Sequence, residues 1–124
     1  MHQIPLRLLA EIGDPAFVPE TVMARIETEA DAWAWCWALR RIKGMTATEA
    51  ARHLGMPKSH FSNILSGKKY PSWGSRIAFQ RLCGNWCIRQ WEDRQLGLVT
   101  LRETAEQRRI RELEQQVAAM QRAA

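Results

Sequence analysis

Between Thr46 and Gly67 the chain sets out helix boundaries at a spacing suited to two short, tightly joined helices. Thr46 is followed three residues later by Glu49. This is the capping-box arrangement, in which the hydroxyl accepts from a free backbone N–H and the carboxylate reaches back to the cap residue. A helix starting there runs through Ala50, Ala51 and Leu54 and stops at Gly55, whose missing Cβ permits the left-handed conformation of a sharp turn. Pro57 then suits the first turn of a following helix, because its absent N–H would have had no partner there. Phe61, Ile64 and Leu65 supply that helix's inner face, Gly67 ends it, and Lys68, Lys69, Tyr70 and Pro71 form a basic loop beyond it.

The rest of the chain also favours helix, so the expected fold class is all-α. Residues 1–19 contain Pro5, Gly13, Pro15 and Pro19 and leave room for one short element. A first core helix is expected from about Glu20 to Lys43, with a break near Thr28 and a stop at Gly44; Arg40, Arg41 and Lys43 then lie in its last turn. Helical stretches from about Ser75 to Cys83 and from Asn85 to Gln95 bring the expected core to five helices. Past Gly97 the chain is rich in Arg, Glu, Gln and Ala and free of proline, the composition of a long exposed helix. The expected organisation is an N-terminal extension over residues 1–28, a five-helix domain over 29–97 and a helical tail over 98–124, without internal repeats.

The formal charge of +5 is unevenly spread. Residues 1–39 carry two basic and six acidic side chains, residues 40–82 nine and one, and residues 83–124 seven and six. A basic middle third points to a polyanionic partner, with a solvated basic face as the plainer reading. The apolar runs fall far short of the roughly 20 residues that span a bilayer. The N-terminus also lacks the pattern of a secretory signal. A soluble, cytoplasmic protein with no membrane partner is expected, and an odd set of cysteines, Cys36, Cys83 and Cys87, fits a reducing compartment.

The stretch MTATEAARHLGMPKSHFSNILSGKKYP, residues 45–71, resembles the lambda-repressor/Cro (Xre-like) helix-turn-helix. The resemblance rests on small Ala51 at the helix crossing, the Leu54-Gly55-Met56 turn, apolar Phe61, and then Ser62, Ile64, Gly67 and Pro71. It covers residues 36–82 well and implies a five-helix, lambda-repressor-like domain that binds double-stranded DNA with its second motif helix in the major groove. It further implies that Lys58, Ser59, His60 and Asn63 face base edges or flanking phosphates. Asn63 is the best reader, because an amide can pair with adenine through two hydrogen bonds. Ser62 would touch backbone, while Lys68, Lys69 and Tyr70, together with Arg52, would add affinity at the phosphates without sequence information. One position departs from the family, in which glutamine often opens the first motif helix and contacts the DNA backbone. Here that position is Ala47, which leaves Thr46 or Thr48 to supply a phosphate hydrogen bond.

Trp33, Trp35 and Trp37 alternate within a helical segment and so cannot all point the same way. They read either as a partner surface or, preferably, as core covered by apolar residues between positions 4 and 26. Trp86 and Trp91 are expected to pack in the fifth helix. Cys83 and Cys87 could share a helix face, but a tetrahedral zinc site needs four ligands and only Cys36 and scattered histidines remain, so buried thiols are preferred. In the tail, Ile110, Leu113, Val117, Met120 and Ala124 follow coiled-coil spacing, flanked by Arg109 and Glu114. The tail reads as part of a homodimer, as a dock for another protein, or as a frayed amphipathic helix. A DNA-binding transcriptional regulator, simplest as a repressor of bacterial, phage or plasmid origin, is the leading expectation. The alternative is an interaction or adaptor protein using the same fold, its tryptophans and its tail. No cofactor is expected, and no nucleotide-binding glycine loop, zinc-histidine pair or nucleophile with its base suggests an enzyme.

Overall fold

A computed structural model describes residues 14–123, which are all-helical apart from one isolated bridge. The helices are α1 (Glu20–Met23), α2 (Glu29–Ala38), α3 (Ala47–His53), α4 (Lys58–Leu65), α5 (Trp73–Cys83), α6 (Cys87–Gln95) and α7 (Ala105–Ala123). The helical stretch expected over residues 20–43 is broken near Thr28, as its sequence suggested. Thr28, in an extended conformation, accepts a hydrogen bond from the Asp31 N–H and restarts the helix as α2. At its other end α2 stops at Ala38, well short of Gly44. Arg40, expected in a last helical turn, donates instead to the carbonyls of Trp37 (3.0 Å), Lys43 (3.0 Å) and Met45 (3.1 Å). Its guanidinium also lies over the Trp37 ring, 4.2 Å from the centroid. One cation thus satisfies a helix-end carbonyl and folds the loop that leads into α3.

Two further boundaries differ from expectation for local reasons. α5 begins at Trp73 because Ser72 caps it, accepting from the Ser75 N–H at 3.2 Å. α6 begins only at Cys87. Asn85, 5 % exposed, donates through Nδ2 to the Cys36 carbonyl (3.1 Å) and accepts the Cys87 N–H on Oδ1 (3.2 Å). Trp86 therefore precedes the helix it was expected to pack in.

The core forms around α2, which packs against α4, α5 and α6. Trp33 is buried and stacks on Phe79 at 4.5 Å between centroids, and Phe79 meets Phe61 edge-on at 5.8 Å. Trp35 and Trp37 are half-buried against the same core, Trp37 edge-on to Phe61 at 5.3 Å. Val18, Met23 and Ile26 belong to this core too. Residues 1–13, part of the segment expected to cover the tryptophans, lie outside the described residues, as does Ala124 at the end of the tail.

Residues 14–18 are stitched to the α5–α6 junction. Ala16 bridges Asn85, its N–H donating to the Gly84 carbonyl (2.9 Å) and its carbonyl accepting from Trp86 N–H (3.0 Å). Val18 and the Gln90 side-chain amide exchange two hydrogen bonds of 2.8 and 3.0 Å. Cys36, Cys83 and Cys87 are free and buried. Burial pushes the Cys87 thiol up to about 12 and that of Cys36 well above its ordinary value, so these thiols stay protonated and unreactive at neutral pH.

Candidate nucleic-acid interface

The Thr46–Glu49 box is formed in full. The Thr46 hydroxyl accepts from the Glu49 N–H (3.2 Å), and Glu49 Oε1 accepts from both the Thr46 N–H and its hydroxyl (3.0 Å each). These hydrogen bonds from Thr46 hold the Glu49 carboxyl below its ordinary value. Replacing Thr46 by Ala is expected to cost about 1 kcal/mol in urea denaturation. Because the Glu49 value is lowered on folding, its contribution is present above the unfolded carboxylate's pKa of about 4.3 and fades as pH falls through the lower folded value. The difference between variant and wild type should therefore shrink in acid. Thr48, two residues further on, is exposed like Thr46 and makes no side-chain hydrogen bond among the described residues.

Both motif helices close in the same way. After α3, Gly55 takes φ +71° while Gly55 N–H donates to the Arg52 carbonyl (3.1 Å) and Met56 N–H to that of Ala51 (3.0 Å). After α4, Gly67 takes φ +81° while Gly67 N–H donates to Ile64 (3.1 Å) and Lys68 N–H to Asn63 (2.8 Å). These are Schellman closures, which stop a helix in one turn and fix the direction of the chain beyond it. Buried Ala50 and Ala51 let α3 and α4 approach closely, and Phe61 and Ile64 anchor α4 from beneath.

That anchoring turns the other side of α4 outward. Ser59, Ser62, Asn63 and Ser66 recur at intervals of three and four and so share one face; Asn63 is half-buried and the serines are exposed. Ser66 was missed by sequence reasoning, although the same spacing from Ser59, Ser62 and Asn63 points to it. Its hydroxyl donates to the Asn63 carbonyl (3.2 Å). His60 is half-buried and sits beside this face. Lys58 lies at the start of α4, and Lys68, Lys69 and Tyr70 lie just past its end, all exposed, Tyr70 at 88 %. Lys69 N–H also donates to the Asn63 carbonyl (3.2 Å), so the basic loop is tied to α4 rather than hanging free. A Cβ on Gly67 would come within 3.1 Å of the Ala30 Cβ, so the loop's origin also sits hard against α2.

The basic residues of the middle third now separate into two groups. Arg40 donates to backbone carbonyls, Arg41 does so at Asp14 (2.7 Å) and Gly84 (3.3 Å), and Arg76 pairs with Glu29 and Glu92. Lys58, Lys68 and Lys69 form no ion pair among the described residues, and Arg52 is exposed on the outer side of α3. The arrangement is a neutral, hydrogen-bonding face with unpaired cations at both ends, held on a rigid two-helix frame. Such a surface can offer donors and acceptors to base edges while its flanks meet phosphates.

Residues 38–84 match the family model of a helix-turn-helix domain. The matched span is less than half of the chain and runs from the end of α2 through α3, α4, the basic loop and α5 to Gly84. It supports DNA as a partner of this domain. No curated protein and no solved structure matches the chain. Among the described residues, no helix is long and apolar enough to cross a membrane.

Proposed function

We propose that this helix-turn-helix protein is a sequence-specific, double-stranded-DNA-binding transcriptional regulator of the lambda-repressor/Cro (Xre-like) type, of bacterial, phage or plasmid origin and acting in the cytoplasm. The observation that carries this reading is the neutral Ser59–Ser62–Asn63–Ser66 face of α4 set between unpaired Lys58 and the Lys68–Lys69 pair. In this reading α4 enters the major groove and α3 braces it across the backbone. Asn63 reads a base edge, Ser59 and Ser62 contact bases or sugar-phosphate, and His60 lies at the rim. Thr48 and Arg52, with the loop of Lys68, Lys69 and Tyr70, hold the phosphates. Occupying a promoter in this way is enough to repress it, with no cofactor and no catalysis. Two copies working as a homodimer would read half-sites about 34 Å apart on one DNA face.

Selection of bound fragments from a random duplex library at fixed, moderate salt tests this reading. An inverted, paired motif should be enriched, and Asn63→Ala should relax one base position in each half, at a cost of about 1–3 kcal/mol in discrimination. Binding without an enriched motif would remove the claim of sequence reading. A second reading, an adaptor that uses the fold to bind protein, draws on the exposed apolar side chains of α7 and on Trp73, 60 % exposed beside the basic loop. Duplex binding that fails altogether would favour it.

A further inference from the structure

α7 runs for 19 residues without burying one, and Ile110, Leu113, Val117 and Met120 on its apolar stripe are 49–71 % exposed. In a heptad frame Ile110 and Val117 take the a positions and Leu113 and Met120 the d positions. β-Branched residues at a with Leu at d favour two parallel strands. The flanking positions sharpen the choice. Of the e and g positions along the stripe, only Arg109 (g) and Glu114 (e) are charged; Gln107, Gln116, Gln121 and Ala123 are neutral. A parallel, in-register pair brings each g position to the e position five residues on in its partner, so Arg109 meets Glu114 twice. An antiparallel pair brings g to g and e to e; with Ile110 aligned on Met120, Arg109 then faces neutral Ala123 and Glu114 faces the partner's Glu114, a like-charge contact.

The structure also leaves this stripe open. Arg108 and Arg111, on the outer side of α7, bond to Glu103, the Arg111 Nε at 2.7 Å. Upstream, Thr100 donates to Asp93 of α6 (2.5 Å) and Arg102 donates to the Pro15 carbonyl. The helix thus leaves the body in a tethered direction through its outer face, not its apolar one. Two heptads are marginal alone. Val99 and Leu101 in the tether are also exposed, at 80 % and 82 %.

We propose that α7 pairs with α7 of a second copy as a parallel, in-register coil. Arg109 then meets the partner's Glu114 on both sides, and both α4 helices sit at the same end of the dimer. This deepens the homodimer reading above and rests on it. Sedimentation of the full chain over a range of concentrations should show reversible dimers. Arg109→Glu should weaken association roughly tenfold by placing like charges opposite each other twice, and the double variant R109E/E114R should restore it. Under mild oxidation Met120→Cys should cross-link with itself, because parallel d positions face each other within disulfide reach, whereas wild-type chains, whose native thiols are buried, should not. Cross-linking only in a mixture of I110C and M120C chains, or no rescue by the double variant, would overturn the parallel arrangement while leaving dimerisation intact. A wild-type chain that stays monomeric at every concentration, free and on DNA, would overturn the homodimer itself.

Discussion

Reversing Lys58, Lys68 and Lys69 to glutamate together should weaken duplex binding by at least about a hundredfold at moderate salt. It should also flatten the dependence of log affinity on log salt by about 2.7, or about 0.9 for each phosphate that is no longer neutralised. The three side chains are exposed and make no ion pair among the described residues, so the triple variant should keep its helicity and unfold with an unchanged urea midpoint. The effect is large because these cations sit on both flanks of one face. Each reversal removes a counterion-releasing group and also places a carboxylate against a phosphate. A titration by fluorescence anisotropy at several salt concentrations measures both quantities. An unchanged slope would mean that the α4 face does not meet DNA, while a protein interaction made through α7 would survive the substitutions.

Trp33→Ala should destabilise the fold by about 3–5 kcal/mol in urea denaturation, a large share of the roughly 5–15 kcal/mol that holds a domain together. Trp33 is 1 % exposed, stacks on Phe79 and lies in the same core as Phe61 and Ile64, which anchor α4. Emptying that space takes away a large apolar surface and leaves a cavity directly beneath α4, the second helix of the helix-turn-helix. Trp73→Ala is the matched control: at 60 % exposure its loss should fall within about 0.5 kcal/mol. Equal effects from the two substitutions would refute the placement of Trp33 at the centre of the core.

The helix-turn-helix was legible because its instructions are local. Thr46, Glu49, Gly55 and Gly67 act on backbone groups within a few residues of themselves, and the structure uses each of them as the spacing suggests. What sequence reading missed depends on partners that arrive only once the chain has folded, some of them far along the sequence. Arg40 looks like any cation in a last helical turn until the loop folds back to bring the Met45 carbonyl to it. Asn85 reads as ordinary helix until Cys36 and Ala16 arrive beside it. Trp33, Trp35 and Trp37 could not be ranked by periodicity, since the burial of Trp33 and Trp37 is decided by Phe79 and Phe61 on other helices. Of the outward face of α4, only Ser66 escaped notice, for it lies just past the helix end, in the cap.

The clasp between residues 14–18 and the α5–α6 junction sets an order of events during synthesis. Val18 and Gln90 hydrogen-bond across 72 positions of chain. At typical elongation rates of about 5–20 residues per second, Val18 waits roughly 4–14 seconds for that partner to be made. The α3–α4 pair needs nothing so distant, and can be complete while α6 is still inside the ribosome. The nascent chain would thus hold its helix-turn-helix before its first and last core elements meet, with Met23 and Ile26 left to be shielded by other means until Gln90 emerges.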